Sequence, residues 1–121
     1  MIPPEPVVER PHVTVVMPVL DEERHLADSV ARVLSQDYDG PLDLVLALGP
    51  STDGTDEVAA RIVREHPEVR TVPNPSGRTP DGLNAAIAAS EGEIVARVDA
   101  HAEIPTDYVS TAVRVLQETG A

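Results

Sequence analysis

The stretch "RVDAHAEIP" (97–105) closes an apolar run with an aspartate and a histidine one residue apart, just before a proline. Side chains alternate along extended backbone, so Asp99 and His101 are expected on the same side, with Ala100 between them. A carboxylate and an imidazole so placed at a strand end suit a shared divalent cation. Such a cation can bridge two phosphates and neutralise the charge that builds on a departing diphosphate. Spacing alone favours a plainer role, because Asp-x-His is common by chance: Asp99 capping a turn, and His101 packing under the next helix.

Three more clusters carry polar chemistry. In "GPSTDGT" (49–55), successive backbone N–H groups can form an anion nest, while Ser51, Thr52 and Asp53 offer oxygens to a ribose or base. The same residues also suit a helix-start turn, and they form neither a Gly-Lys-Ser/Thr phosphate loop nor a Gly-x-Gly-x-x-Gly turn. In "PVLDEE" (18–23), Glu22 and Glu23 are either ligand contacts or charges matched to a helix dipole. Arg78 is the only cation between Arg70 and Arg97 and sits beside a helix start. That position suits a diphosphate, although a solvated loop arginine looks the same in sequence. His12, His25 and His66 suggest no site, and no nucleophile–histidine–acid spacing is present.

The elements that must hold these clusters alternate in type. "HVTVVMPV" and "LDLVLAL" are short β-branched or aliphatic runs read as buried strands, "VRTV" is a third, shorter strand and "EIVARV" a fourth. Between them lie helical patterns. Asp21 is a plausible N-cap for a helix with Leu26, Val30, Val33 and Leu34 inward, and Thr55 for one with Val58, Ile62 and Val63 inward. Thr79-Pro80-Asp81 opens a third with Leu83, Ala86 and Ile87 inward. Thr106-Asp107 opens a fourth with Val109, Val113 and Leu116 inward, and Gly120 is a C-terminal cap signal. The order βαβαβαβα with short connections predicts a Rossmann-like α/β fold on a parallel sheet with right-handed crossovers. Ligands of such sheets sit at the carboxyl ends of the strands, which selects loops 18–23, 49–55, 73–79 and 99–105.

Composition narrows the partners. The chain has 121 residues, 41% of them hydrophobic, with two tyrosines as its only aromatic residues, so its core must be aliphatic. No cysteine is present, which excludes disulfides and thiolate metal sites. A net charge of −12 argues against nucleic acid and anionic membrane surfaces and suits a divalent cation. No apolar run reaches the roughly 18–20 residues of a membrane helix. "MIPPEPVVERP" lacks a signal-peptide pattern and reads as an extended arm over residues 1–12, leaving 13–121 as the α/β domain. The expected location is the cytoplasm, at the inner face of the plasma membrane if a missing C-terminal region supplies an anchor.

Taken in order, "VVMPVLDEERHLADSV", "PSTDGT" and "NPSGRTPDGLNAAIAASEGEIVARVDAHAEIP" resemble the nucleotide-sugar-binding half of a family 2 glycosyltransferase of GT-A fold. Pro18, Glu22 and Glu23 match the family's first motif, with Leu20 where tyrosine is usual and Asp21 where asparagine is usual. Residues 51–55 match the second motif, with Leu48 and Gly49 at the positions of its paired aspartates. Asn84 matches a helix asparagine. Asp99 matches the first acid of the family's Asp-x-Asp, and His101 replaces the second, as in the branch resembling succinoglycan-type glucosyltransferases of exopolysaccharide synthesis.

The resemblance implies an inverting transferase that moves a sugar from a nucleoside-diphosphate sugar to a hydroxyl of a saccharide or lipid-linked acceptor. Asp99 is the residue it ties to the reaction. With the readings above, the expected donor contacts are Pro18, Val19, Leu20, Glu22, Ser51, Asp53, Arg78, Asn84, Asp99 and Ala100. Asp99 and His101 are the expected holders of Mg²⁺ or Mn²⁺. The family's catalytic domain is longer, so this chain is expected to be a donor-binding half truncated at its C-terminus, with the general base outside it. The alternative is a nucleotide-binding module that turns nothing over without a second half or partner. A nucleotidyltransferase would want a basic, glycine-rich loop after the first strand, where "PVLDEE" is acidic.

Overall fold

The computed structural model describes residues 10–119. Most of the expected arm (residues 1–9) and the Gly120 cap lie outside the described residues. Four strands, β1 (Val13–Val19), β2 (Leu42–Leu48), β3 (Val69–Pro73) and β4 (Ile94–Arg97), alternate with α1 (Leu26–Leu34), α2 (Thr55–Glu65), α3 (Thr79–Ala88) and α4 (Tyr108–Thr119). The sheet is parallel throughout, in the order β3-β2-β1-β4. The chain runs outward from β1 to β3, then returns across the sheet to β4 on the other side of β1.

Alternation along the strands separates two cores. Val13, Val15, Met17 and Val19 face α1, α2 and α4, joined by Leu44 and Leu46 of β2. Val16, Val45 and Ala47 face the opposite way, onto Ala86 and Leu83 of α3. Crossovers that continue in one direction place α1 and α2 on one face, and the reversal at β3 places α3 on the other, as right-handed connections require.

Both β1 and β2 are wholly or nearly buried along their length, which explains their uninterrupted apolar sequences. Two polar side chains are buried within them. Thr14 Oγ1 donates to Asp43 Oδ1 at 2.6 Å, His12 Nε2 lies 2.8 Å from the same oxygen, and Arg70 Nη1 donates to Oδ2 at 2.9 Å. Burial pushes the Asp43 carboxyl up, but hydrogen bonds from Thr14 and His12 and the charges of His12 and Arg70 outweigh it, leaving it below its ordinary value.

Helix starts differ from the expected ones. Asp21 does not cap α1, because its carboxylate is committed to the β2–α2 loop and its own φ is +51°. The chain makes a turn at 22–25 before α1 begins at Leu26. Thr55 and Thr79 are first helical residues, with Gly54 and Arg78 in the cap positions. Ile87 points outward at 48% exposure rather than inward. The face of α3 against the sheet is made by Gly82, Leu83 and Ala86, and Ile87, rotated about 100° onward from Ala86, falls outside it.

Candidate functional site

The β1–β4 pairing ends at Val16 and Arg97, whereas β1 and β2 stay paired to Val19 and Leu48. Val16 C=O accepts the Val98 N–H at 3.1 Å, so its polar groups face β4, and by alternation those of Pro18 do too. Proline is thus tolerated in a central strand because its missing N–H falls on the side where no strand pairs any longer. The gap left between the two strand ends lies where the sheet's strand order reverses, the usual ligand position in open α/β sheets.

That gap is a solvent-open cavity of about 200 Å³, walled by Pro18, Val19, Leu20 and Glu22 on one side and by Arg97, Asp99, Ala100 and His101 on the other. Asn74, Gly77 and Thr79 of the β3–α3 connection complete it. It is smaller than the roughly 300–1,000 Å³ of typical ligand pockets, so it holds only part of a nucleotide-sized molecule.

Seven of the residues singled out from sequence therefore share one cavity. Asp99 and His101 arrive there differently than expected. Ala102 N–H bonds to Asp99 C=O at 3.0 Å, so the segment turns instead of remaining extended. Ala100 is driven into the core at 2% exposure, where its C=O accepts the Ser29 hydroxyl at 2.5 Å. Arg97 Nε donates to Asp99 Oδ1 at 3.0 Å, and His101 Nδ1 lies 3.1 Å from Glu22 Oε1.

Ser51, Asp53, Arg78 and Asn84 do not line the cavity. Ser51 Oγ accepts the Asp21 N–H at 2.9 Å and Asp53 Oδ2 accepts the Glu23 N–H at 3.3 Å, binding the β2–α2 loop to the β1–α1 loop. The Thr55 hydroxyl donates to Asp53 Oδ1 and, with backbone N–H groups, holds that carboxyl below its ordinary value. Arg78 is directed to Asp81 Oδ2 at 3.2 Å. A hydrogen bond from Ser76 and the charge of Arg78 hold Asp81 low as well. Asn84 is exposed on α3.

Four lining residues were not named as contacts from sequence: Asn74, Gly77 and Thr79, which lie in the selected loop 73–79, and Arg97, which lies in none of the selected loops. Arg97 is two residues before Asp99, so the alternation that linked Asp99 to His101 also reaches it. Asn74 is 4% exposed; its N–H donates to Leu48 C=O at 2.8 Å and its Nδ2 to Arg78 C=O at 3.0 Å. Its signal was the Asn-Pro turn directly after a strand.

With Asp99 and His101 as the expected holders, a divalent cation would have one carboxylate and one imidazole from the protein, and no metal-holding group of three acidic, histidine or cysteine side chains gathers among the described residues. Among these residues nothing is hydrogen-bonded to Asp99 Oδ2. This donor set fits Mg²⁺ or Mn²⁺ held by one or two protein ligands plus substrate phosphates, and does not fit an all-protein cage. Among the described residues, no helix is long and apolar enough to cross a membrane.

The model of glycosyl transferase family 2 matches residues 14–121. The succinoglycan biosynthesis protein ExoA of Rhizobium meliloti (strain 1021) is 32% identical over 109 residues, covering 88% of this chain and 33% of that protein. Among solved structures, the mannosyltransferase PcManGT from Pyrobaculum calidifontis, in complex with GDP-Man and Mn²⁺, matches with a TM-score of 0.79 at 33% identity, over 89% of this chain and 33% of that one. S. aureus TarS 1-349, in complex with UDP-GlcNAc, shares the fold with a TM-score of 0.70 at 21% identity, over 88% of this chain and 31% of that one. The chain spans about a third of the length of these relatives. With its parallel α/β sheet and a family match over nearly its whole length, the chain belongs to glycosyl transferase family 2.

Proposed function

We propose that residues 13–121 bind the nucleoside-diphosphate sugar of an inverting glycosyltransferase that acts on a hydroxyl of a saccharide or lipid-linked acceptor in polysaccharide or glycolipid synthesis. The observation that carries this reading is the cavity between the ends of β1 and β4, where Asp99, His101 and Arg97 meet Pro18, Leu20 and Glu22. The likeness to PcManGT, solved with GDP-Man and Mn²⁺, supports it.

In the reaction the acceptor oxygen bonds to the anomeric carbon as the bond to the diphosphate breaks, inverting that centre. Asp99 and His101 would hold Mg²⁺ or Mn²⁺, which would supply positive charge to offset that of the departing diphosphate. Arg97 supplies a second, permanent positive charge in the same cavity. Leu20 and Val19 give an apolar wall that excludes water from one side of the donor. Deprotonation of the acceptor is assigned to no residue of this chain.

Calorimetric titration of GDP- and UDP-sugars with and without MnCl₂ tests the reading. The expected result is Mn²⁺-dependent binding that Asp99→Ala weakens at least about tenfold, as loss of a charge-assisted contact does. Equal binding by parent and Asp99→Ala, or no binding of any nucleotide sugar, overturns it. Release of free sugar from bound donor separates a transferase site from a module that only binds.

A further inference from the structure

We propose that Glu22 is a positioning residue that fixes the tautomer and ring orientation of His101. The inference rests on the reading of His101 as a ligand of the donor-bound cation. Glu22 Oε1 and His101 Nδ1 lie 3.1 Å apart, from residues 79 positions distant in the chain. The two partners differ in freedom: the Glu22 side chain is 17% exposed and that of His101 67%. The carboxylate is the anchored member, and the ring reaches from it into the cavity.

Glu22 is fixed from both ends of its backbone. Its N–H donates to Thr55 Oγ1 at 2.9 Å, and its C=O accepts the N–H groups of His25 and Leu26 at 3.1 and 2.9 Å. Thr55 is fully buried and its hydroxyl donates in turn to Asp53. Together with the Asp21–Ser51 and Asp21–Thr52 bonds, these contacts give the polar "STDGT" loop a task although it does not line this cavity: it holds the β1–α1 loop in the place from which Glu22 reaches the ring.

An ionised carboxylate only accepts, so the hydrogen between the two atoms belongs to His101 Nδ1. In the neutral ring this leaves the lone pair on Nε2, the nitrogen then free to bind a cation. A histidine ligand is commonly held in this way by a carboxylate on its other nitrogen. Without Glu22 a largely exposed ring would carry its proton on Nε2, the form that free imidazole favours in water, and would rotate freely.

The test begins without metal. Long-range ¹H–¹⁵N correlation on the full chain at mildly alkaline pH reports the tautomer of each of the four histidines. His101→Gln identifies the signal. The expected pattern is Nδ1–H in the parent, Nε2–H in Glu22→Ala, and Nδ1–H again in Glu22→Gln, which keeps an acceptor oxygen. In the presence of GDP or UDP, Mn²⁺ affinity followed by electron paramagnetic resonance should fall 10–100-fold in Glu22→Ala and return to within about threefold in Glu22→Gln. An Nε2–H ring in the parent, or an unchanged ring in Glu22→Ala, overturns the proposal. If the parent binds no Mn²⁺, the cation reading fails, while the metal-free tautomer still decides whether Glu22 positions the ring.

Discussion

Asp21 accepts the backbone N–H of Thr52 on its Oδ1 at 2.7 Å, across 31 residues of sequence. It does so from a left-handed backbone, φ +51°, which L-residues other than Asn and Asp seldom adopt and which costs roughly 1–2 kcal/mol. Asp21→Asn should keep both the conformation and the acceptor, and so remain within about 0.5 kcal/mol of the parent. Asp21→Gly relieves the backbone but loses the bond, and Asp21→Ala loses both, with a deficit of about 1–3 kcal/mol. Urea midpoints in the order Asn, Gly, Ala check this, and Ala equal to Asn refutes it.

Asp43 confers acid sensitivity. Its folded value lies below its unfolded one, so its stabilisation is fully present above the unfolded value, about 3.9, and is lost as pH falls through the folded value. Chemical denaturation from pH 6 down to pH 2 should show this loss in the parent and a flatter acid limb in Asp43→Asn. Asp43→Ala also strands the buried Thr14 hydroxyl and part of Arg70, for a loss of about 1–3 kcal/mol at neutral pH.

At Gly92 a Cβ would lie 2.5 Å from the backbone nitrogen of Thr14 and 2.7 Å from its Oγ1. The Gly92 N–H donates to that same hydroxyl at 2.9 Å. Gly92→Ala must therefore push β4 away from β1, at a cost of about 1–3 kcal/mol. A midpoint within error of the parent would show that the two strands are not held this closely.

Ile87 and Leu46 separate outward from inward apolar residues. Leu46→Ala, at a fully buried position of β2, should cost about 2–5 kcal/mol. Ile87→Ala, on the open side of α3, should stay within about 0.5 kcal/mol of the parent. Comparable losses at both positions would mean that α3 is rotated from the orientation described.

Much of this architecture was legible in the chain itself. Val13–Val19 and Leu42–Leu48 are recognisable because a strand covered on both faces needs apolar residues throughout, a local requirement. The alternation of strand and helix patterns then entails a parallel sheet, and with it a ligand edge on which Pro18, Leu20, Glu22, Asp99 and His101 fall together.

Other features depend on groups far apart in sequence. Asp21 and Thr55 look like helix caps, yet their oxygens serve a neighbouring loop, and only the folded distance between loops settles which N–H groups they meet. Ser51 and Asp53, expected from sequence as donor contacts, also accept hydrogen bonds from the neighbouring β1–α1 loop, which sequence could not show. Arg97 lies outside the loops selected from sequence and reaches the cavity through its pairing with Asp99, whereas Asn74 lies within a selected loop but is fixed there by burial. The sequence by itself determined the elements and the sheet edge where ligands are expected, because periodicity and covered strands are properties of neighbouring residues. Tertiary structure decided which polar atoms face the cavity and which face one another, Glu22 and His101 above all, because a hydrogen bond is set by distance in space.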